Sequence, residues 1–344
     1  MAAVTTVENR GLELVEEQPI QISVSRGFGD RVYRSTSYGA AGVTLGLMVL
    51  IGGFLLYRSL DAFKSQGWGF LTHTEWAPSP VGGKFGIAGL LLGTAVIAVV
   101  ALVMAVPTAI GTALFITEYA PRSVRKALTS LIDLLAAVPS LIYGIWGASI
   151  LQGKVIYVSR FLADHFGWFP PFRTTAINGS ATTTLSDFSA SAFLAGIVVA
   201  LMILPICTAV MREVFAQAPP GEKEGALALG GTRWGVIRDV VLPFGKGGII
   251  GGSMLGLGRA LGETVAVALI ISRTTDVKNL LQLLKTGGNS IAATITRTWS
   301  ESSPGVMTSS LMAAGLVLFA VTLAVNAAAS YVVSNSRSGS ATEI

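Results

Sequence analysis

Long uninterrupted runs of apolar residues dominate the pattern of this chain. Six runs can be drawn, over roughly 39–60, 86–117, 127–150, 190–211, 247–271 and 305–333. A helix needs about 20 mostly apolar residues to cross the hydrocarbon core of a bilayer, and every run is long enough. Strands of a membrane barrel would instead alternate apolar and polar positions over about ten residues. The pattern therefore predicts an all-α, polytopic membrane protein with about six transmembrane helices.

The composition supports a membrane protein and excludes several other classes. Hydrophobic residues make up 51% of the 344 residues and charged residues only 12%, against about 25% charged in soluble domains. Cys207 is the only cysteine, so no disulfide can form within the chain. The net charge is +5, but the basic residues form no cluster of the kind that binds nucleic acid. We therefore expect membrane lipid, and no nucleic acid, as a partner.

The basic residues indicate how the chain crosses the membrane, because lysine and arginine are enriched in cytoplasmic loops. They are frequent before the first run and in the second and fourth connections: Arg26, Arg31, Arg34, Arg122, Arg125, Lys126, Arg212, Lys223, Arg233 and Arg238. Six crossings then place both termini in the cytoplasm. We expect a polar cytoplasmic N-terminal segment over 1–36 without a signal peptide. A transmembrane domain follows over 37–333, with an outer loop at 151–189, and a cytoplasmic tail covers 334–344.

The fourth connection, residues 212–246, carries too many structural signals to be a simple tether. A Pro-Pro pair ends one segment, and the residues after it favour a short helix. Gly230 and Gly231 suit a left-handed helix end, and Thr232 can cap a second short helix that must end before Pro243. An apolar helix face outside the membrane needs a surface to bury against. The connection is therefore expected to pack on the cytoplasmic end of the bundle or on another protein.

This connection resembles the cytoplasmic signature of the permease subunits of ABC importers, E-A-A-x3-G-x9-I-x-L-P. The matching residues are Glu224, Gly225, Ala226, Gly230, Val240, Leu242 and Pro243. Gly225 replaces the second-position alanine and Val240 replaces the isoleucine. The resemblance implies a MetI-like ABC permease architecture in which the first short helix docks onto a separate ATPase subunit.

Three further segments, 105–121, 134–147 and 243–271, are similar to the phosphate-specific importers, and most of all to their PstC-type subunit. This resemblance implies a prokaryotic plasma membrane, no cofactor and three kinds of protein partner. They are a PstA-type second permease subunit, PstB-type ATPase subunits and a PstS-type phosphate-binding protein. A PstA-type subunit, or a permease for another oxyanion such as sulfate or molybdate, remains open as an alternative.

The fifth apolar run contains two charged residues, Arg259 and Glu263. Residues four apart share one face of a helix, so the spacing predicts an ion pair within one span. An unpaired arginine at mid-membrane costs roughly 2.5–3.5 kcal/mol, and intramembrane charges usually mark a substrate or ion path. The resemblance also implies that these two residues take part in translocation. Glycines every four residues indicate that this helix packs closely in the bundle: Gly247, Gly251, Gly248, Gly252 and Gly256.

Two other charged groups have less direct interpretations. Asp133 lies several residues into the third run, where it can face the same path or extend toward the cytoplasm. Glu118 and Arg122 have the same four-residue spacing at the inner edge of a span, and we expect a solvated pair at a helix end.

Other function classes lack the residues that they need. The only histidines, His73 and His165, fall in outer connections, so no span holds a Ser/His pair. The chain has no P-loop motif and no His/Cys cluster for a metal. We therefore expect a transporter subunit, not an enzyme, with ATP hydrolysis in a partner. A proton-coupled secondary transporter that uses Glu263 as a proton relay is the alternative from another class.

Overall fold

The computed structural model describes residues 27–77, 83–174, 184–272, 282–302 and 304–334. Most of the N-terminal segment expected over 1–36, and most of the tail expected over 334–344, therefore lie outside the described residues. The chain divides into two units, residues 1–51 and 52–344. In the first unit the described residues form the beginning of one long helix, and their side chains are almost all exposed.

The described residues are almost entirely helical, which confirms the all-α prediction. The helices are α1 (Phe28–Gln66), α2 (Gly69–Thr72), α3 (Ala88–Leu114), α4 (Arg122–Ala136), α5 (Ser140–Trp146), α6 (Gln152–Phe166), α7 (Ala192–Ala216), α8 (Pro220–Ala228), α9 (Arg233–Val236), α10 (Leu242–Phe244), α11 (Lys246–Leu261), α12 (Val265–Ile270), α13 (Ile291–Trp299) and α14 (Val306–Ser334). Wider π turns continue three of these helices, over Phe115–Tyr119, Gly147–Leu151 and Ile237–Val241. Two short strands, β1 (Trp76–Ala77) and β2 (Lys84–Phe85), pair antiparallel.

Five helices in the described residues are long and apolar enough to cross a membrane, and a bent pair of helices raises the number to six. Four of them coincide with predicted runs: α1, α3 with its π turn, α7 and α14. The bent pair is Arg233–Phe244 followed by Lys246–Leu261, with 65° between the two helices. The five to six candidate spans agree with the predicted number of about six, although two of them differ from the predicted runs.

The third span lies further along the chain than the predicted run 127–150. The first part of the predicted run belongs to α4, an amphipathic helix, and the candidate span covers Ser140–Phe166. The boundary is Pro139, because a proline disfavours helical geometry in the residue before it and can start a new helix. The predicted outer loop 151–189 was therefore wrong in its first part, which continues the helix of the third span.

The fifth run, predicted as one helix over 247–271, is broken. Helix α11 ends at Leu261 and α12 begins at Val265, so residues 262–264 form a break within the run. We call α12 the half-helix. Glycine at 262 favours this interruption, because glycine is a poor helix former and ends helices readily.

Helices α3, α7 and α11 form the centre of the main hydrophobic core, in which α7 is the most buried of the candidate spans. Glycines on α11 allow this helix to approach α7 closely. A Cβ added at Gly256 would lie 2.6 Å from Cys207 Sγ, and one at Gly248 would lie 2.6 Å from Val214 Cβ. The prediction that glycines on the fifth run permit close helix packing is therefore confirmed, and the partner is α7.

A second hydrophobic cluster joins the end of α1, the β hairpin, the start of α3, and α13 and α14. Within it, the Ser309 hydroxyl lies between the backbone of two α1 residues. It accepts a hydrogen bond from the Ala62 N–H at 3.0 Å and donates one to the Arg58 carbonyl at 2.8 Å. The hydroxyl thus ties α14 to α1 by two polar contacts of a kind that apolar surroundings favour.

Candidate functional site

Arg259 lies in the last turn of α11, just before the break at 262–264, and it is exposed. Counted from Lys246 at the start of α11, the helix rises about 20 Å to reach it. Leu255 and Gly262, on the same side of the helix, are exposed as well. Arg259 thus lies deep along a candidate span on a face that the described part of this chain leaves uncovered.

Glu263 lies within the break, and only 8% of its surface is exposed. Its Oε1 accepts a hydrogen bond from the Ala266 backbone N–H at 3.3 Å, so the carboxylate caps the first turn of the half-helix. Negative charge at a helix N-terminus is favourable because the first N–H groups are unpaired and the helix dipole is positive there.

The predicted ion pair between Arg259 and Glu263 was wrong for this conformation. No salt bridge joins the two side chains in the described part of the chain. The physical reason is the break: the four-residue rule requires a continuous helix, and α11 ends at Leu261, between the two residues. They remain neighbours in sequence on the two sides of an interrupted helix.

Arg297 is a charged residue of this site that the sequence pattern did not single out. It lies on α13, and its Nη2 donates hydrogen bonds to the carbonyl oxygens of Ala268 and of Ile271, the latter at 2.7 Å. These two carbonyls lie at the C-terminal end of the half-helix. The available sequence signal was an arginine near the end of a short helix-forming segment, but nothing in that signal indicates which helix end the side chain reaches.

The half-helix packs closely on α5 and the following π turn. A Cβ added at Gly144 would lie 2.8 Å from the Ala266 Cα, and one at Gly147 would lie 3.1 Å from Ile270 Cδ1. The side of the half-helix turned toward α5 is thus held by a close backbone contact at Gly144, which only glycine permits, and by a tight side-chain contact at Gly147. Polar side chains fix its two ends.

Asp133 does not belong to this site. It is exposed on the amphipathic helix α4, which precedes the third span and is not among the candidate membrane spans. The expectation that it lies several residues into a span was wrong, because the span begins only after Pro139. Its exposed position on a polar helix agrees with the second interpretation, a carboxylate directed away from the membrane interior.

The fourth connection has the predicted arrangement of two short helices at a glycine bend. Gly230 has a φ of +84°, and the Gly231 N–H donates to the Ala226 carbonyl at 3.0 Å. This is the left-handed helix end for which glycine is suited. Thr232 Oγ1 accepts a hydrogen bond from the Gly235 N–H at 3.2 Å and caps the second helix, as predicted.

The second helix does not end before Pro243, contrary to the prediction. Helical structure continues from Arg233 to Phe244 through the π turn Ile237–Val241. A proline ring clashes with the carbonyl four residues earlier in an α-helix. The wider π turn, in which the Leu242 N–H donates to the Ile237 carbonyl, moves the backbone before Pro243 out of that geometry.

The signature residues divide between two surfaces. Ala226, Val240 and Leu242 are partly buried and pack against the main core. The other signature residues are exposed: Glu224, Gly225, Gly230 and Pro243. Two large apolar side chains in the same connection, Leu229 and Trp234, are 92% and 59% exposed. The connection therefore rests on the bundle with one side and presents an apolar surface on the other.

An ion pair joins this connection to the end of α3. Lys223 Nζ lies 2.7 Å from Glu118 Oε1, and both side chains are about four-fifths buried, with 21% and 17% exposed. The expected solvated pair of Glu118 with Arg122 was therefore wrong. Arg122 begins α4 after Pro121, so the two residues do not share a helix.

Comparison with known proteins places this architecture in a family. The model of the family described as "Binding-protein-dependent transport system inner membrane component" matches residues 105–337. A protein of Mycobacterium tuberculosis, "Phosphate transport system permease protein PstC 2", is 41% identical over 302 residues, which cover 88% of this chain and 90% of the relative. The "Phosphate transport system permease protein PstC" of Xylella fastidiosa strain 9a5c is 40% identical, over 83% of this chain and 85% of the relative.

A solved structure shows the same fold at low sequence identity. A chain in the crystal structure of a bacterial alginate ABC transporter in complex with an alginate pentasaccharide-bound periplasmic protein superimposes with a TM-score of 0.57. The alignment covers 89% of this chain and 96% of that chain, at 16% identity. With the family model over its membrane body and close relatives over almost its whole length, this chain belongs to the binding-protein-dependent transport system inner membrane components, in their PstC-type branch.

Proposed function

We propose that this chain is a permease subunit of an ABC importer that carries inorganic phosphate across the plasma membrane into the cell. The relatives at 41% and 40% identity are named phosphate transport permeases, which supports phosphate as the substrate. The observation that carries the mechanism is the position of Arg259, exposed on α11 beside a broken span.

An arginine facing lipid at this depth would cost roughly 2.5–3.5 kcal/mol, so its exposed face requires a polar environment or a partner. We therefore assign this face to the seam with a PstA-type second permease subunit, where the translocation path runs. The planar guanidinium can donate two parallel hydrogen bonds to the oxygens of phosphate.

Glu263 has a second part in the proposal. As substrate leaves, the carboxylate can release its cap on the half-helix and pair with the Arg259 guanidinium across the break. The arginine would then be paired both with and without substrate, and the nearby negative charge would keep phosphate from binding too tightly to leave. Asp133 has no part in this path, because it lies outside the candidate spans.

The energy for transport comes from a partner in this proposal. The exposed side of the fourth connection, residues 212–246, is the surface onto which PstB-type ATPase subunits dock, and the first short helix transmits their closure to the bundle. A PstS-type phosphate-binding protein delivers substrate on the outer side, and both termini lie in the cytoplasm. ATP hydrolysis resides in the ATPase subunits.

Reconstitution into proteoliposomes tests the class of transporter. The chain alone is expected to be inactive, and phosphate uptake is expected only when the second permease, the ATPase, the binding protein and ATP are all present. Proton-driven uptake by the chain alone would establish a secondary transporter instead. Competition between phosphate and sulfate in the complete system then identifies the oxyanion.

Arg259→Gln tests the role of the guanidinium. Glutamine keeps the side chain polar but removes its charge, so uptake is expected to fall by about 100-fold or more while assembly with the ATPase is unchanged. Arg160→Gln is the matched control, because Arg160 is exposed on α6 and pairs with Asp164 in the next turn. Normal uptake by the Arg259→Gln variant would reject this mechanism.

A further inference from the structure

The half-helix is too short to hold its position by itself. Its six residues, Val265–Ile270, span about 9 Å, and isolated helices of that length are unstable. Its conformation therefore depends on what binds its ends and its packed side. At the start it has the Glu263 carboxylate, and at the end it has the guanidinium of Arg297.

The signs of these two charges are opposite to those of the helix dipole at the ends that they bind, which is the favourable arrangement. Carbonyl groups in the last turn of a helix have no later N–H to accept from, and the helix dipole is negative there. The two hydrogen bonds from Arg297, to Ala268 and Ile271, satisfy carbonyls of that kind. The cation is partly buried, so these bonds are less weakened by water than they would be at an open surface.

Arg297 is held by a segment that is itself fastened to the bundle. The first residue of α13, Ile291, donates its backbone N–H to Thr94 Oγ1 on α3 at 3.0 Å. Just before it, the Asn289 carbonyl oxygen approaches α3 so closely that a Cβ added at Gly93 would lie 2.2 Å from it. The segment that carries the arginine is thus anchored on α3, which itself packs more extensively on α7 than on any other helix described.

We propose that Arg297 is a positioning residue for translocation. By binding the last carbonyls of the half-helix, it fixes the break at residues 262–264 and, with it, the relative positions of Arg259 and Glu263. The effect on transport rests on the proposed function of those two residues, whereas the effect on the position of the break does not. Arg297 also lies on the segment between the last two spans, so it links that segment to the half-helix that follows the break.

The transport test uses the complete importer in proteoliposomes, with Arg297→Gln and Arg297→Lys compared with Arg160→Gln. The maximal uptake rate is expected to fall about tenfold in Arg297→Gln, the scale of losing hydrogen bonds from a charged group. The binding-protein concentration for half-maximal uptake should stay within about twofold, because Arg297 does not contact substrate in this proposal. Arg297→Lys should recover part of the rate, since an ammonium group can still donate to these carbonyls.

A second measurement reports on the break itself. Gly262→Cys introduces a thiol at an exposed position whose added Cβ would have its nearest neighbour at an ordinary 3.6 Å. The native Cys207 is fully buried and provides the background rate. Combined with Arg297→Gln, the introduced thiol is expected to react with a polar maleimide about threefold faster or more, because the half-helix is released to open locally. Combined with Arg160→Gln, its rate should not change.

The outcomes separate this inference from the proposed function. If maleimide reactivity is the same with Arg297→Gln as with Arg160→Gln, Arg297 does not position the break and the proposal is rejected. A slower uptake without a change in reactivity rejects it as well. If Arg297→Gln does not assemble, the same two measurements on Arg297→Lys decide. If maleimide reactivity rises with Arg297→Gln while the Arg259→Gln variant imports phosphate normally, Arg297 positions the break but the mechanism proposed for Arg259 is rejected.

Discussion

At the scale of single residues, a glycine and a buried polar group decide how the segment before α13 packs against α3. Gly93 illustrates this, because its missing side chain allows the backbone before α13 to lie against α3. Thr94, the next residue, accepts the Ile291 N–H and donates its hydroxyl hydrogen to the Leu90 carbonyl at 2.8 Å. One close backbone approach and one hydrogen bond to α3 thus fix the start of α13, the helix that carries Arg297.

Gly93→Ala is expected to destabilise the protein by about 1–3 kcal/mol, the usual cost of overpacking, because the neighbouring atom is backbone and cannot turn away. Thermal unfolding of the purified protein in detergent measures the change. Gly53→Ala is the control, since no atom lies within 4 Å of the Cβ that it adds. Equal melting temperatures for the two variants would contradict the close contact at Gly93.

At the scale of secondary-structure elements, the fourth connection is the part with two different faces. Its signature residues Ala226, Val240 and Leu242 pack on the bundle, whereas Leu229 and Trp234 are exposed. Large exposed apolar side chains outside a membrane are typical of a surface that another protein covers. The element therefore combines anchoring to the bundle with a surface for the proposed ATPase partner.

Trp234→Ala is expected to weaken binding of the ATPase subunit by about tenfold or more, because exposed tryptophans that become buried in an interface contribute much of its energy. Titration of labelled ATPase against the permease pair measures the dissociation constant. Val124→Ala on α4 serves as the control, since Val124 is an exposed apolar residue outside the connection. An unchanged dissociation constant would mean that Trp234 lies outside the docking surface.

The Lys223–Glu118 ion pair gives a second prediction at this scale, because it ties α8 to the end of α3. Removal of either charge leaves the other partly buried without its partner. We therefore expect Lys223→Gln and Glu118→Gln each to lower ATPase stimulation by the binding protein.

A double-mutant cycle on the melting of the complex is expected to give a coupling of about 1 kcal/mol between these two side chains. The exchanged pair, Glu118→Lys with Lys223→Glu, should restore part of the stimulation. Additive effects of the single variants, with no recovery on exchange, would show that the pair does not transmit the signal.

At the scale of the whole molecule, the described residues contain five candidate spans and one bent pair, which is compatible with an even number of crossings. An even number puts both termini on one side, and the basic residues of the fourth connection predict that this side is the cytoplasm. Many apolar side chains along the candidate spans are exposed, as expected for a subunit that meets lipid and a second permease.

The orientation can be measured with reporters fused to the C-terminus. A fluorescent protein that matures only in the cytoplasm is expected to be bright, and a phosphatase that folds only outside is expected to be inactive. The reverse pattern would overturn the cytoplasmic position of the terminus and with it the proposed side of ATPase docking.

The sequence by itself determined the class of fold and the glycine bend of the fourth connection. Apolar length and local turn chemistry depend on residues close together in the chain, so four of the six runs, the Gly230 helix end and the Thr232 cap were predictable. It also identified Arg259 and Glu263 as unusual, because charge in an apolar run is visible without coordinates.

Only the tertiary structure decided where these charges point. The third run was misplaced because a count of apolar residues ignores Pro139, which separates α4 from the span that follows. The fifth run was predicted as one helix because its composition stays apolar through the break. Glu263 caps a helix instead of pairing, and Arg297 and Lys223 find acceptors 26 and 105 residues away in the chain. Such partners are set by how the helices pack, since a pattern of neighbours along a sequence contains no information on which distant carbonyl or carboxylate a side chain will reach.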